Sequence, residues 1–293
     1  MRWLAVLTFL VVSTLLFAQN GAQAVAAKAL QQHPLPCDTD ASISKGCHAN
    51  YPAGCGLPYD KSGGFLPPDL SYKPRYDAYL AYFKNQIATV LPTSQGLLTR
   101  ADFVNKYVSA AAVTPQITAY NHSAVSAQML ALGEGQYFSV IGYLYYTKIN
   151  DQGEASNCDI TNDEPSSDYH IGIGFDPKLA KTAPGAGTKT APLEKASIVV
   201  EMTPHYRAKY HKGTWTNAIL QTILGRQVRV VGQLLLDNDH MTGNAVCSAP
   251  GASTNCWRLS PWEFHPVTEF YVCKSDSCVE NSPDWIPLDT GKF

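Results

Sequence analysis

From Gly135 onward the hydrophobic period of the chain becomes two, and this change restricts the fold more than any other feature. The segment YFSVIGYLYYTKI (137–149) is dense in β-branched and aromatic residues, which suit a pleated, half-buried strand. DYHIGIGFD (168–176) follows a polar stretch that holds Cys158. Its apolar face is Tyr169, Ile171 and Ile173, while Asp168, His170, Gly172 and Gly174 occupy the other. ASIVVEMTP (196–204) carries Glu201 opposite Ile198, Val200 and Met202. A helix is expected over about 216–224, with Ile219, Leu220, Ile223 and Leu224 buried and Gly225 at its C-terminal end. QVRVVGQLLLD (227–237) and WEFHPVTEFYV (262–272) read as two further strands, giving three strands, a helix and two strands.

Upstream the pattern is helical, so the fold class is α+β. Tyr76, Leu80, Phe83, Ile87 and Val90 recur at helical steps until Pro92 ends them. Thr99 reads as an N-cap with Asp102 three residues on, backed by Phe103, Val104, Tyr107 and Val108. A third helix is expected from Ser123 to Leu132, closed by Gly133. The expected division is a helical segment at 76–134, a barrel at 135–275 and a tail at 276–293. The stretch 176–195, rich in Ala, Thr, Lys, Pro and Gly, is expected to be mobile and dispensable.

The first residues bear on the compartment. Met1-Arg2 is a short basic start, Trp3 to Phe17 is almost wholly apolar, and Ala22-Gln23-Ala24 is a small-x-small cleavage site. Residues 1–24 therefore read as a signal peptide, and the mature chain is expected to be secreted or periplasmic with no membrane span. Residues 25–75 read as an extended Cys/Pro/Gly-rich segment stapled to the domain. The eight cysteines, Cys37, Cys47, Cys55, Cys158, Cys247, Cys256, Cys273 and Cys278, all follow the leader and contain no C-x-x-C pair. They read as a disulfide framework, with local bridges expected at 247–256 and 273–278. Cys158 would then pair with one of the three N-terminal cysteines. A net charge of −2, with 16% charged residues, gives no global electrostatic case for nucleic acid or an anionic membrane.

Three strands, a helix and two strands is the order of an OB-fold, and residues 135–273 resemble that five-stranded Greek-key barrel. A second resemblance lies in motifs: D-x-H at Asp168 and His170, a glutamate at Glu201, D-x-x-H at Asp237 and His240, and E-x-H-P-V from Glu263 through His265 and Pro266. This pattern resembles a signature of exported bacterial OB-like proteins without an established biochemical function. The resemblance implies a polar site on the barrel and no particular reaction.

Histidines and carboxylates on strands have the donor chemistry of a divalent metal site, and imidazole with carboxylate suits Zn or Mn. The expected site is Asp237, His240, Glu263 and His265, at the adjoining ends of the last two strands. Asp168, His170 and Glu201 form a second cluster, expected at the opposite rim, since a six-residue strand spans roughly 20 Å. Hydrogen bonds from these residues to loop backbone, pinning the barrel ends, are the non-functional alternative. The basic, tyrosine-rich run 205–212 offers Tyr206, Arg207, Lys209 and Tyr210 for stacking and phosphate contact. No P-loop, serine elbow, H-E-x-x-H or dinucleotide motif is present in the sequence. Two function classes follow: a module binding an oligomeric ligand on a barrel face, or a metal-dependent hydrolase, of phosphodiesters for example, in which a spare carboxylate acts as base.

Overall fold

The computed structural model describes Lys84 and residues 94–113, 126–149, 164, 167–187, 189–211, 213–237 and 240–293. The leader, the extended segment, the expected helix at 76–90 apart from helical Lys84, Cys37, Cys47, Cys55 and Cys158 lie outside these described residues.

Seven strands are described: β1 (Leu97–Leu98), β2 (Tyr137–Ile149), β3 (Tyr169–Gly174), β4 (Ser197–Met202), β5 (Gln227–Leu236), β6 (Trp262–Cys273) and β7 (Trp285–Pro287). Five close into a barrel in the order β2–β3–β4–β6–β5 and back to β2. All contacts are antiparallel except β4 with β6, which run parallel. The architecture is thus α+β with a disulfide-bonded, five-stranded OB-like barrel, and the five strands read from the period of two are the five barrel strands.

Closure depends on the length of β2. Its first half, Tyr137 to Tyr143, pairs with β5, and its second half, Tyr143 to Ile149, pairs with β3. Gly142 lies where the two partners meet, and a Cβ there would stand 2.5 Å from the Gly174 carbonyl oxygen. Only glycine permits that approach. Alternate residues fill the interior: Val140 and Leu144 from β2, Ile171 and Ile173 from β3, Ile198 and Val200 from β4, Leu234 from β5 and Phe264 from β6.

Helix α1 (Arg100–Val113) starts with a reciprocal cap, in which the Thr99 N–H donates to Asp102 and the Asp102 N–H donates to Thr99 Oγ1. Phe103 packs on Phe264 with ring centroids 5.9 Å apart, and Tyr107 and Ala110 are also buried, whereas Val108 faces solvent. Helix α2 (Ser126–Ala131) ends at Gly133, whose φ of 102° only glycine adopts readily.

The segment 176–195 is ordered, against expectation. It forms α3 (Pro177–Ala180), a 3-10 turn (Ala183–Gly185) and α4 (Ala191–Lys195), each with proline in its first two positions. The prolines that enrich the segment are helix starters, where a missing N–H costs nothing. Ala180, Ala183 and Leu193 are buried together with Tyr145 and Tyr146. The basic run 205–212 is likewise mostly helix, α5 (Pro204–Tyr210), capped by Thr203. Helix α6 (Asn217–Thr222), capped by Thr216, lies between β4 and β5 in the chain as expected. Cys247–Cys256 and Cys273–Cys278 are bonded. Among the described residues no helix is long and apolar enough to cross a membrane.

Candidate functional site

Side-chain alternation on two parallel strands builds the site. Val200 of β4 lies beside Phe264 of β6, and both point into the barrel. Their chain neighbours Glu201, Glu263 and His265 therefore emerge together on the outer wall. His170 stands opposite Glu201 across β3 and β4, and Asp168 immediately precedes β3. The two clusters expected at opposite rims are consequently one. The expectation placed the end of β4 and the start of β6 at opposite rims, whereas the two strands run parallel with Val200 beside Phe264.

This part of the outer wall is covered, and Val199, Glu201, Glu263, His265, Gln233 and Leu235 are all buried. Lys84, also buried, acts electrostatically on both Glu201 and Asp237. The imidazole of His265 is ringed by acids: Nδ1 is 2.8 Å from Glu201 Oε2 and 3.4 Å from Glu263 Oε1, and Nε2 is 3.3 Å from Asp168 Oδ2. His170 Nδ1 lies 3.0 Å from Glu201 Oε1. A carboxylate can only accept, so that ring nitrogen carries the proton.

Arg258 joins this group to the rest. Its guanidinium donates to Asp237 Oδ2 at 2.5 Å and to Glu263 Oε2 at 2.6 Å, and its Nε donates to the Ser260 carbonyl at 2.9 Å. His240 Nδ1 donates to the same Asp237 oxygen at 2.6 Å. The four residues expected to share a metal, Asp237, His240, Glu263 and His265, do not converge on one point. A guanidinium stands between the two carboxylates, and a cation there repels a metal ion. Among the described residues the group with metal-like convergence is instead Asp168, Glu201 and His265, whose ligand-capable atoms lie within 4.8 Å of one another.

Proximity of opposite charges overrides burial here. Burial alone would push the Glu201 carboxyl up, but His265, His170 and Lys84 hold it well below its usual range. Burial would push His265 down, but the Glu201 and Asp168 charges hold it well above. Burial likewise opposes ionisation of Asp237, and His240, Arg258 and Lys84 hold it far below the ordinary carboxyl value. Asp237 in turn lifts His240 against the effect of burial.

Water reaches the cluster at one edge. The His240 side chain is 44% exposed and that of His170 is 15% exposed. Partly buried Trp257 packs on both, with centroid distances of 4.9 Å to His240 and 5.8 Å to His170. Tyr146 stacks beside His170 at 6.0 Å.

The basic run presents less than its sequence suggests. Tyr206 is buried, and the Arg207 guanidinium donates to the Met202, Glu164 and Ser167 carbonyls while lying 3.6 Å from the Tyr169 ring centre. Lys209 and Tyr210 remain exposed. Sequence reasoning missed Arg258 and Lys84. A signal for Arg258 existed, since it is the lone arginine or lysine in the connection between the last two barrel strands. No protein-family model, curated protein or solved structure matches the chain.

Proposed function

We propose that the chain is an exported binding module of the OB-like kind, which offers an oligomeric ligand the edge formed by His170, Trp257 and His240. The supporting observation is how the cluster divides. Asp168, Glu201, Asp237 and Glu263 are buried among Arg258, His265 and Lys84, whereas the two outer histidines reach water on either side of an indole. Both spend Nδ1 on a carboxylate, which fixes the ring and leaves Nε2 for a ligand oxygen. The indole supplies an apolar face for a sugar or base ring. Two disulfides, with no membrane-crossing helix among the described residues, fit an oxidising compartment outside the cytoplasm.

The competing reading is a metal-dependent hydrolase, favoured by the convergence of Asp168, Glu201 and His265. Its difficulty is access, because these residues are buried and a catalytic metal needs an open position for water. Arrays of oligosaccharides and single-stranded oligonucleotides test the proposal. Binding to one class is expected, with Trp257→Ala weakening it about tenfold or more, the weight of one stacked aromatic at ~1–3 kcal/mol. Turnover of bis(p-nitrophenyl) phosphate with Mn²⁺ or Zn²⁺, abolished by His265→Ala, would establish the hydrolase instead.

A further inference from the structure

The hydrogen bonds of His265 and Glu201 leave one atom over on each side chain. His265 Nδ1 donates to Glu263 Oε1, and His170 Nδ1 donates to Glu201 Oε1. What remains is His265 Nε2 and Glu201 Oε2, both buried and without a hydrogen bond, although charged neighbours lie at 3.3 and 2.8 Å. Those contacts have ion-pair distance without hydrogen-bond alignment. An imidazole whose second N–H rests on a carboxylate, and a carboxylate whose second oxygen is held by an imidazole, are the usual outer supports of metal ligands.

Spacing and charge agree with this. Two ligands on one tetrahedral ion with bonds of about 2.0–2.1 Å stand roughly 3.3 Å apart, and Asp168 Oδ2 lies 3.3 Å from His265 Nε2. The buried network holds four carboxylates, Asp168, Glu201, Asp237 and Glu263, against two permanent cations, Arg258 and Lys84. With His265 neutral, as a metal ligand must be, a divalent ion supplies positive charge that the network otherwise takes from protonated imidazoles.

We propose that Asp168, Glu201 and His265 form a closed site for a divalent cation of the zinc or manganese type, which ties β3, β4 and β6 together on the outer wall. One imidazole and two carboxylates are the donors such ions take. Burial of all three makes the role cohesive rather than catalytic. The inference does not rest on the proposed ligand edge, although His170 belongs to both, bordering that edge and holding Glu201 Oε1.

The test uses the full secreted chain, stripped with chelator and then titrated separately with Zn²⁺ and Mn²⁺. Calorimetry should show a single equivalent bound, and the melting temperature should rise on loading. Glu201→Gln and Asp168→Asn should each weaken affinity on the order of 100-fold, at or beyond the upper end seen for outer-support mutations. No binding by the wild-type chain would overturn the proposal and leave a protonated His265 between its acids, with array binding unaffected. Metal retained by Glu201→Gln but lost in His240→Gln would move the ion to the Asp237–His240 pair, which also overturns it. Should the buried variants fail to fold, the wild-type chain decides with Co²⁺. Visible absorption bands displaced by Zn²⁺ support the site, and their absence refutes it.

Discussion

Arg258 is the side chain on which the cohesion of the cluster turns. It is fully buried, and its guanidinium bridges Asp237 and Glu263, so its loss strands two carboxylates away from water. Arg258→Met should cost about 3–5 kcal/mol in urea unfolding, the usual result of removing one partner from a buried ion pair. A loss under about 1 kcal/mol would mean that water reaches the acids and that the wall is not closed. His240 makes a different prediction. Asp237 holds its imidazole above the ordinary value against burial. A histidine raised on folding stabilises fully below its unfolded value near 6.5, and the contribution disappears as pH climbs through the folded value. Melting temperature should therefore decline as pH rises from about 6.5 through the folded value, and His240→Gln should flatten that decline. The amplitude should be small because the ring is 44% exposed. An unchanged slope in the variant would assign the decline to another group. Asp237 contributes the opposite dependence, since its depressed carboxyl stabilises fully above the unfolded value near 3.9 and loses this progressively as pH falls from there through the folded value.

At the scale of elements, α3, the 3-10 turn and α4 form a small buttress for the outer face of β2 and β3. Leu193 is buried against the Tyr145 and Tyr146 region, so Leu193→Ala should cost about 2–5 kcal/mol by calorimetry. A cost near zero would restore the mobile loop that composition suggests. This segment also shows where sequence is legible. Each barrel strand was readable because Ile171/Ile173, Ile198/Val200 and their counterparts must alternate to fill an interior, and alternation is local. Short helices begun by Pro177, Pro184 and Pro192 carry no such period, and composition alone does not distinguish a helix start from a turn. The site was half legible for a related reason. Asp168, His170, Glu201, Asp237, His240, Glu263 and His265 could be named from motifs, but their grouping depends on the parallel contact of Val200 with Phe264. That contact joins strands separated by α5, α6 and β5, and no local pattern records it. Arg258 enters from a connection and Lys84 from a helical position upstream of α1, where a lone basic residue has many ordinary uses.

For the whole molecule, closure of the barrel gives every long strand two neighbours, and β1 and β7 extend the sheet from β2 and β6. The outer wall is a second packed surface, apolar at Val199 and Leu235 and charged between them, with Gln233 Nε2 donating to the His265 carbonyl. The two short disulfides lie after β5, one in the β5–β6 connection and one directly after β6, so they fasten the late part of the chain. Chain order then has a consequence in time. The ribosome delivers a polypeptide from its N-terminus, so Asp168, Glu201 and Asp237 emerge before Arg258, Glu263 and His265. Until β6 arrives, β4 has no parallel neighbour, and of the groups that balance these acids Lys84, His170 and His240 have been made but Arg258 and His265 have not. The complete network therefore forms only once β6 has been made. It is assembled last, as a latch that closes once the final barrel strand is in place, and a chain stopped short of His265 would leave the barrel open and its acids exposed.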